Sequence, residues 1–378
     1  MRRTLGFGES GGLMLIAADE PGFSARFVDS VAPSLLSAAL RLLDASPELA
    51  LHRAGVAGDT SIPRDIVPGW IAHLLLGTLD QPNSEHPLLD GSQLFDRDDR
   101  PTAARLRCML AFFERVAIEP PRGQFSIERV VVPPRSAADC VRDESPLSPL
   151  IVDDAACIEE LDRHRQADFA NAFLGGGVLS GGCVQEEIRF SVSPELLFGL
   201  IVSPRMNDYE AIILRGSERF SCTTGYADTL AFAGAFRDPT PRLDDGTPDT
   251  EVVSMDAFHF GKGRLGEEFS EELILREVNK ARAAFLFDDR NLPVATGNWG
   301  CGAFGCDAQL KAVIQWIAAS AEGRDVRYCT FGDPRVSGLA DFTDRSRSRF
   351  ETAGELWRHV RASLVGGHCS VFARINVI

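Results

Sequence analysis

Apolar residues recur at helical spacing through most of the first 115 positions, and strand-like alternation is scarce there, so this stretch predicts mainly helices. Residues 34–43 give one helix, whose first turn suits Pro33, and positions 71–76 and 105–116 give two more. Between them, 81–101 is rich in Asp, Pro, Asn and Gly and reads as a loop. The Val run at 130–132, opened by Arg129, is a short strand that Pro133 and Pro134 end. From about residue 150 the pattern changes. Short apolar runs at 212–214, 251–255 and 328–331 predict strands, alternating with helices at 271–287 and 310–320, whereas 293–296 makes a poor strand. Such alternation predicts an α/β sheet flanked by helices, with residues 1–150 as a mainly helical accessory region and 151–378 as the core. Ligands in these sheets sit over the carboxyl ends of the strands.

Composition alters this little; charge alters it more. A chain of 378 residues, 44% hydrophobic and 25% charged, is expected to be a soluble globular protein of two domains or one large one. No apolar run approaches the ~20 residues that span a bilayer, and the two arginines near the start are followed by acids, not by a signal-peptide core. Nine cysteines and seven histidines are scattered without metal-ligand spacing, which predicts reduced thiols, no metal and a reducing compartment. The net charge of −15 argues against following a polyanion by bulk electrostatics, so direct nucleic-acid binding is not expected. The Arg-Ser alternation at 345–349 reads as a solvated helix face.

The most informative stretch is Gly175-Gly176-Gly177 followed by Gln185-Glu186-Glu187. Glycine tolerates positive φ and carries no Cβ, so successive N–H groups can converge on an anion. Two adjacent carboxylates offer acid–base chemistry. Phosphate holder plus proton donor describes a site that cleaves something nucleotide-like. Consecutive residues on a strand point to opposite faces, so both glutamates reaching one place requires a turn or a helix start here. A second glycine-rich run covers 297–305, and the two could clamp a pyrophosphate from opposite sides. Its Gly300, Gly302 and Gly305 match the dinucleotide-binding spacing by letter, with Asp325 about 20 residues on, but that fold needs an opening strand, and 293–296 is a weak one.

Taken singly these pieces are ordinary, since glycine runs are loops, glutamate pairs are solvated and most phenylalanines are core. Their order is more specific. Asp168-Phe169-Ala170-Asn171, the triple glycine, Gln185-Glu186-Glu187, Thr224-Gly225-Tyr226-Ala227-Asp228, the 295–305 run and Thr330-Phe331-Gly332-Asp333 follow one another. This set resembles the catalytic region of eukaryotic-type poly(ADP-ribose) glycohydrolases, whose signature is GGG followed closely by QEE; the segment 105–116 looks like the one just before that region. The resemblance covers about residues 60–335. It implies a macrodomain-type core behind a helical accessory region, and a monomeric nuclear or cytoplasmic hydrolase. It also implies poly(ADP-ribose), ADP-ribose and ADP-ribosylated proteins as partners, with no cofactor and no membrane.

The resemblance also implies roles. The diphosphate would meet backbone at Gly175, Gly176 and Gly177 and at Gly302, Ala303 and Phe304. Tyr226 would lie over the adenine–diphosphate region, Phe331 would stack on adenine, and Phe304 would pack against the ribose at the scissile end. Ile158 and Glu159 would meet the adenine edge, and Asp168 and Asn171 the ribose hydroxyls. Glu187 would be the catalytic carboxylate, with Glu186 bonding the ribose and orienting it and Gln185 adding an amide. Cleaving a ribose–ribose bond passes through an oxocarbenium-like state, and one glutamate can act first as acid and then as base. A non-catalytic reader of ADP-ribose is the alternative, although binding alone does not need both acids. The acidic net charge then favours capture of one or two units at a chain end.

Overall fold

The computed structural model describes residues 10–45, 47–261, 267–364 and 370–377; residues 1–8 and Cys369 lie outside these. The described residues form ten strands: β1 (Gly58–Pro63), β2 (Gln124–Val131), β3 (Leu150–Asp153), β4 (Arg165–Ala170), β5 (Glu210–Arg215), β6 (Ser221–Thr224), β7 (Ala231–Ala235), β8 (Glu251–Asp256), β9 (Val294–Gly297) and β10 (Val326–Cys329). Eight of them make one mixed sheet in the order β1-β2-β5-β8-β4-β9-β10-β3, and β6 and β7 form a separate antiparallel pair. The expected α/β class with helices flanking a mixed sheet, and a mostly helical N-terminal region, is what the chain adopts.

The chain divides into two compact units, each built from three segments. The first holds residues 1–128, 173–205 and 214–250; the second holds 129–172, 206–213 and 251–378. In the first, Asp99 caps helix Arg100–Val116 by accepting from the Thr102 N–H at 2.9 Å, and Pro101 sits in its first turn. These signals correct the loop expected over 81–101, which contains helix Gln93–Asp96 and the start of this longer one. Pro33 sits where expected. It lies in the first turn of helix Ala32–Ala45, which follows a π-helical turn, Phe27–Val31, in a continuous helical run from 23 to 45. The fully buried Arg64 is held by both oxygens of Glu195 at 2.8 Å, and Phe112 packs edge-on against Phe220 at 4.8 Å.

In the second unit, β8, β4, β9, β10 and β3 run parallel as neighbours. Their core residues Ala167, Val253, Met255 and Val294 pack with Val278, Ala281 and Phe285 of helix Glu271–Phe285. Val313, Trp316 and Ile317 of helix Ala308–Ala321 complete this cluster. The weak run at 293–296 is in fact the fully buried strand β9, registered against both β4 and β10. Flanked on both edges, four residues suffice, and the neighbours' hydrogen bonds override its poor intrinsic preference. Strand β10 stops at Cys329, short of the expected 331, because Phe331 turns into the left-handed region with φ 55°.

Candidate functional site

The predicted residues fall on both units. In the first unit, the glycine run and the two glutamates are one hydrogen-bonded structure. Helix Gln185–Val192 begins at the QEE sequence, so Glu186 and Glu187 leave the first turn of a helix, as two adjacent carboxylates reaching one loop require. Val184 at the N-cap has no side-chain acceptor. Glu187 substitutes, taking the Val184 N–H on Oε2 at 2.8 Å, while its Oε1 accepts the Gly177 N–H at 2.9 Å. Glu186 Oε1 accepts the Gly175 N–H at 2.6 Å, and the Gly176 N–H goes to the Phe173 carbonyl at 3.0 Å. All three glycine amides are therefore spent inside the protein, two of them on the carboxylates. Backbone amides, in these contacts, fix the orientation of Glu187.

Only glycine fits the middle of this run. Gly176 has φ 51°, and a Cβ there would lie 2.6 Å from both Glu186 Oε2 and Glu187 Oε1. A Cβ on Gly182 would likewise meet Glu187 Oε1 at 2.6 Å. Tyr226 sits beyond β6 at the tip of the β6–β7 pair, 53% exposed, with Thr229 closing the turn behind it. Its hydroxyl accepts from the Gln185 backbone, and burial pushes its pKa above the ordinary tyrosine value, with that hydrogen bond opposing. Gly175, Gly176, Gly177, Glu186, Glu187, Gln185 and Tyr226 thus form one contiguous group.

In the second unit, the predicted residues follow the carboxyl ends of three neighbouring parallel strands. Asn171 comes just after β4, the glycine-rich run after β9, and Phe331 after β10. Asp168 is different. It lies within β4, fully buried, accepting the hydroxyl of its register partner Ser254 at 2.7 Å. Ile158 is also interior, packed with Ala295 and Cys329, while Glu159 beside it is half-buried. Phe331 is 49% exposed, and its ring lies over the bare Cα of Gly297, where a Cβ would stand 3.1 Å from Cε2.

The loop after β9 contrasts with the triple glycine. The N–H groups of Gly302, Ala303 and Phe304 donate to no group among the described residues, and Gly302 and Ala303 are exposed. Successive open amides of this kind suit an anion. The loop is anchored from below: Trp299 Nε1 donates to Met255 O at 3.0 Å, and Lys311, ion-paired with Glu277, places Nζ 3.3 Å from the Trp299 ring centroid. Asn298 ties it to the 330–333 turn, donating to Thr330 O at 3.1 Å and Asp333 at 3.2 Å and accepting from the Tyr328 hydroxyl at 3.0 Å. Sequence reasoning assigned no role to Asn298, Trp299 or Lys311; a tryptophan beside three glycines was the available signal.

A family described as poly(ADP-ribose) glycohydrolase, macro domain fold, matches residues 137–338, more than half of the chain. The chain belongs to the poly(ADP-ribose) glycohydrolase family. Among its relatives, poly(ADP-ribose) glycohydrolase 1 of Arabidopsis thaliana is 34% identical, over 67% of this chain and 59% of the plant protein. Poly(ADP-ribose) glycohydrolase 1 of Caenorhabditis elegans is 31% identical, over 80% of this chain and 43% of its own length. Poly(ADP-ribose) glycohydrolase 2 of the same animal is 35% identical, over 62% and 51%. This glycohydrolase-family chain thus spans about half the length of these curated relatives. The matched region contains both glycine-rich runs, the QEE sequence and Phe331, so the macro fold replaces the dinucleotide-binding alternative for residues 300–305. Among the described residues no helix is long and apolar enough to cross a membrane, no disulfide joins the cysteines, and no three metal-ligating side chains cluster.

Proposed function

We propose that this chain hydrolyses the ribose–ribose glycosidic bonds of poly(ADP-ribose), releasing ADP-ribose mainly from chain ends. The observation that carries this reading is the pair Glu186 and Glu187, locked by the amides of Gly175 and Gly177 at the start of a helix. A binding module has no use for two carboxylates held so tightly by backbone amides; a glycosidase does. Glu187 gives a proton to the departing 2′-oxygen and then takes one from the attacking water, while the oxocarbenium-like sugar forms and collapses. Glu186 bonds the ribose, and Gln185 adds its amide. The open amides of Gly302, Ala303 and Phe304 receive the diphosphate, whose charge also favours the sugar cation. Phe331 and Tyr226 supply aromatic faces, and Phe304 packs against the scissile ribose. Asn171 bonds ribose hydroxyls, with Asp168 behind it in β4; Ile158 and Glu159 shape the adenine edge. The chain acts as a monomer in a nuclear or cytoplasmic setting on ADP-ribosylated proteins. Incubation with poly(ADP-ribose), and separately with a mono-ADP-ribosylated protein, tests this through the products: free ADP-ribose from the polymer is expected. Tight binding without cleavage would leave only a reader of ADP-ribose.

Two further expectations follow from the same reading. Phe331 holds φ 55°, a conformation that costs a non-glycine residue about 1–2 kcal/mol. Phe331→Gly removes that strain along with the ring. Its melting temperature should stay level or rise, while ADP-ribose affinity falls by the ~1–3 kcal/mol of a base–aromatic stack, about 5–150-fold. A fall in both would make the ring a packing element instead. The second concerns polymer handling by a chain of net charge −15. Binding of length-defined polymers by an inactive Glu187 variant should depend weakly on length and only shallowly on salt, unlike proteins that make many phosphate contacts. Affinity that climbs with length and collapses with salt would overturn end recognition.

A further inference from the structure

Behind the catalytic loop of the first unit lies a buried cation that the proposed chemistry does not use. Arg105, one turn into helix Arg100–Val116, is fully buried. It forms no ion pair with any carboxylate among the described residues. Nη1 donates to the carbonyl of Val178, and Nη2 donates to the carbonyl of Ser180 at 2.7 Å and to Thr102 Oγ1 at 3.1 Å. Nε donates to nothing among the described residues, so the guanidinium is aimed through its two terminal nitrogens. Taking a cation out of water without an anionic partner costs several kcal/mol. Burial accordingly lowers the Arg105 pKa, and the nearby Glu187 and Asp99 carboxylates oppose the shift.

The two carbonyls it grips belong to the turn between the glycines and the glutamates. Within that turn the Ser180 and Gly182 N–H groups donate to the Gly177 carbonyl at 2.9 and 3.1 Å, so the chain folds back on the residue whose N–H holds Glu187. Gly182 lies against that carboxylate, and Gly181 lies under the Arg97 guanidinium, 2.8 Å from where its Cβ would be. Val178 and Ser180 have fixed carbonyl directions because a planar fork spans both, which an ammonium cannot match.

We propose that Arg105 is a positioning residue for the reaction: by clamping the Val178 and Ser180 carbonyls it sets the 177–182 turn, and through the Gly177 amide it sets the Glu187 carboxylate. This rests on the glycohydrolase reading for its kinetic consequence but not for its structural one, so both are measured. In the full chain, Arg105→Lys keeps the charge and loses the fork. Turnover on poly(ADP-ribose) should fall at least about tenfold, as small misplacements of a reacting group do, with KM and calorimetric ADP-ribose affinity within about threefold. Hydrogen exchange of the 174–187 segment should quicken while exchange elsewhere is unchanged. Thr102→Val, which removes only the hydroxyl beside Nη2, should give the same pattern with a kcat loss of about 2–10-fold, and serves if Arg105→Lys does not fold. Wild-type kcat and wild-type exchange in the folded variant would overturn the proposal, as would a uniform rise in exchange with kcat and affinity falling together. If the wild-type chain fails to cleave polymer while the exchange change is confined to 174–187, the glycohydrolase reading fails and the positioning role stands.

Discussion

Glu187→Gln should lower turnover on poly(ADP-ribose) by about 10²–10⁴, the contribution of a positioned general acid–base, while ADP-ribose still binds. The geometry adds a second consequence. Both Glu187 oxygens accept a backbone N–H, from Gly177 and Val184, so an amide at this position must turn its NH2 toward one of them. A buried donor left without an acceptor costs about 1–3 kcal/mol, and the variant's melting temperature should drop accordingly. Glu186→Gln is the informative comparison, because its amide can keep an oxygen on the Gly175 N–H and so disturb the loop less. The measurements are kcat at saturating polymer, calorimetric affinity for ADP-ribose and melting temperature for both variants. Wild-type-like hydrolysis by a folded Glu187→Gln chain would remove Glu187 from the mechanism.

Local pattern in the sequence made several helices and the family legible, whereas what tertiary neighbours settle was not. The helices at 34–43, 105–116 and 310–320 were legible because amphipathic spacing is written into each. So was the need for a turn or a helix start near Gln185, and the structure supplies a helix start. Strands β3, β4 and β9 were not legible: β4 and β9 are buried on both faces and show no alternation, β3 is a four-residue edge strand too short to show a pattern, and pairing with parallel neighbours reveals all three. The glycine runs looked equivalent as letters, both fit to hold a phosphate. Their hydrogen bonds separate them, because the amides at 175 and 177 are consumed by Glu186 and Glu187, whereas those at 302–304 donate to no group among the described residues. Arg105 was visible only as part of a motif, since nothing in a helical pattern says that one of its arginines reaches two carbonyls more than seventy residues away.

That difference between the loops changes what a side chain at Gly176 should do. A substitution acting only on the approach of a diphosphate would weaken ADP-ribose binding and leave the protein otherwise intact. The structure predicts a larger disturbance. With φ 51°, Gly176 holds a conformation that a β-branched residue avoids at a cost of at least about 1–2 kcal/mol. The Cβ of Gly176→Val would stand 2.6 Å from one oxygen of each glutamate. Neither carboxylate can yield without releasing an amide, Gly175 for Glu186 and Gly177 for Glu187, and each released buried group adds about 1–3 kcal/mol. Gly176→Val should therefore lose turnover at least as severely as Glu187→Gln and unfold at a clearly lower temperature. Gly302→Ala is the control: nothing lies within 4 Å of its Cβ and its φ is not in the left-handed region, so stability should be unchanged and the N–H remains to be donated. Melting curves, ADP-ribose calorimetry and polymer turnover on both variants distinguish the accounts. If Gly176→Val keeps the wild-type melting temperature and turnover and loses only affinity, the run serves the diphosphate and not the carboxylates.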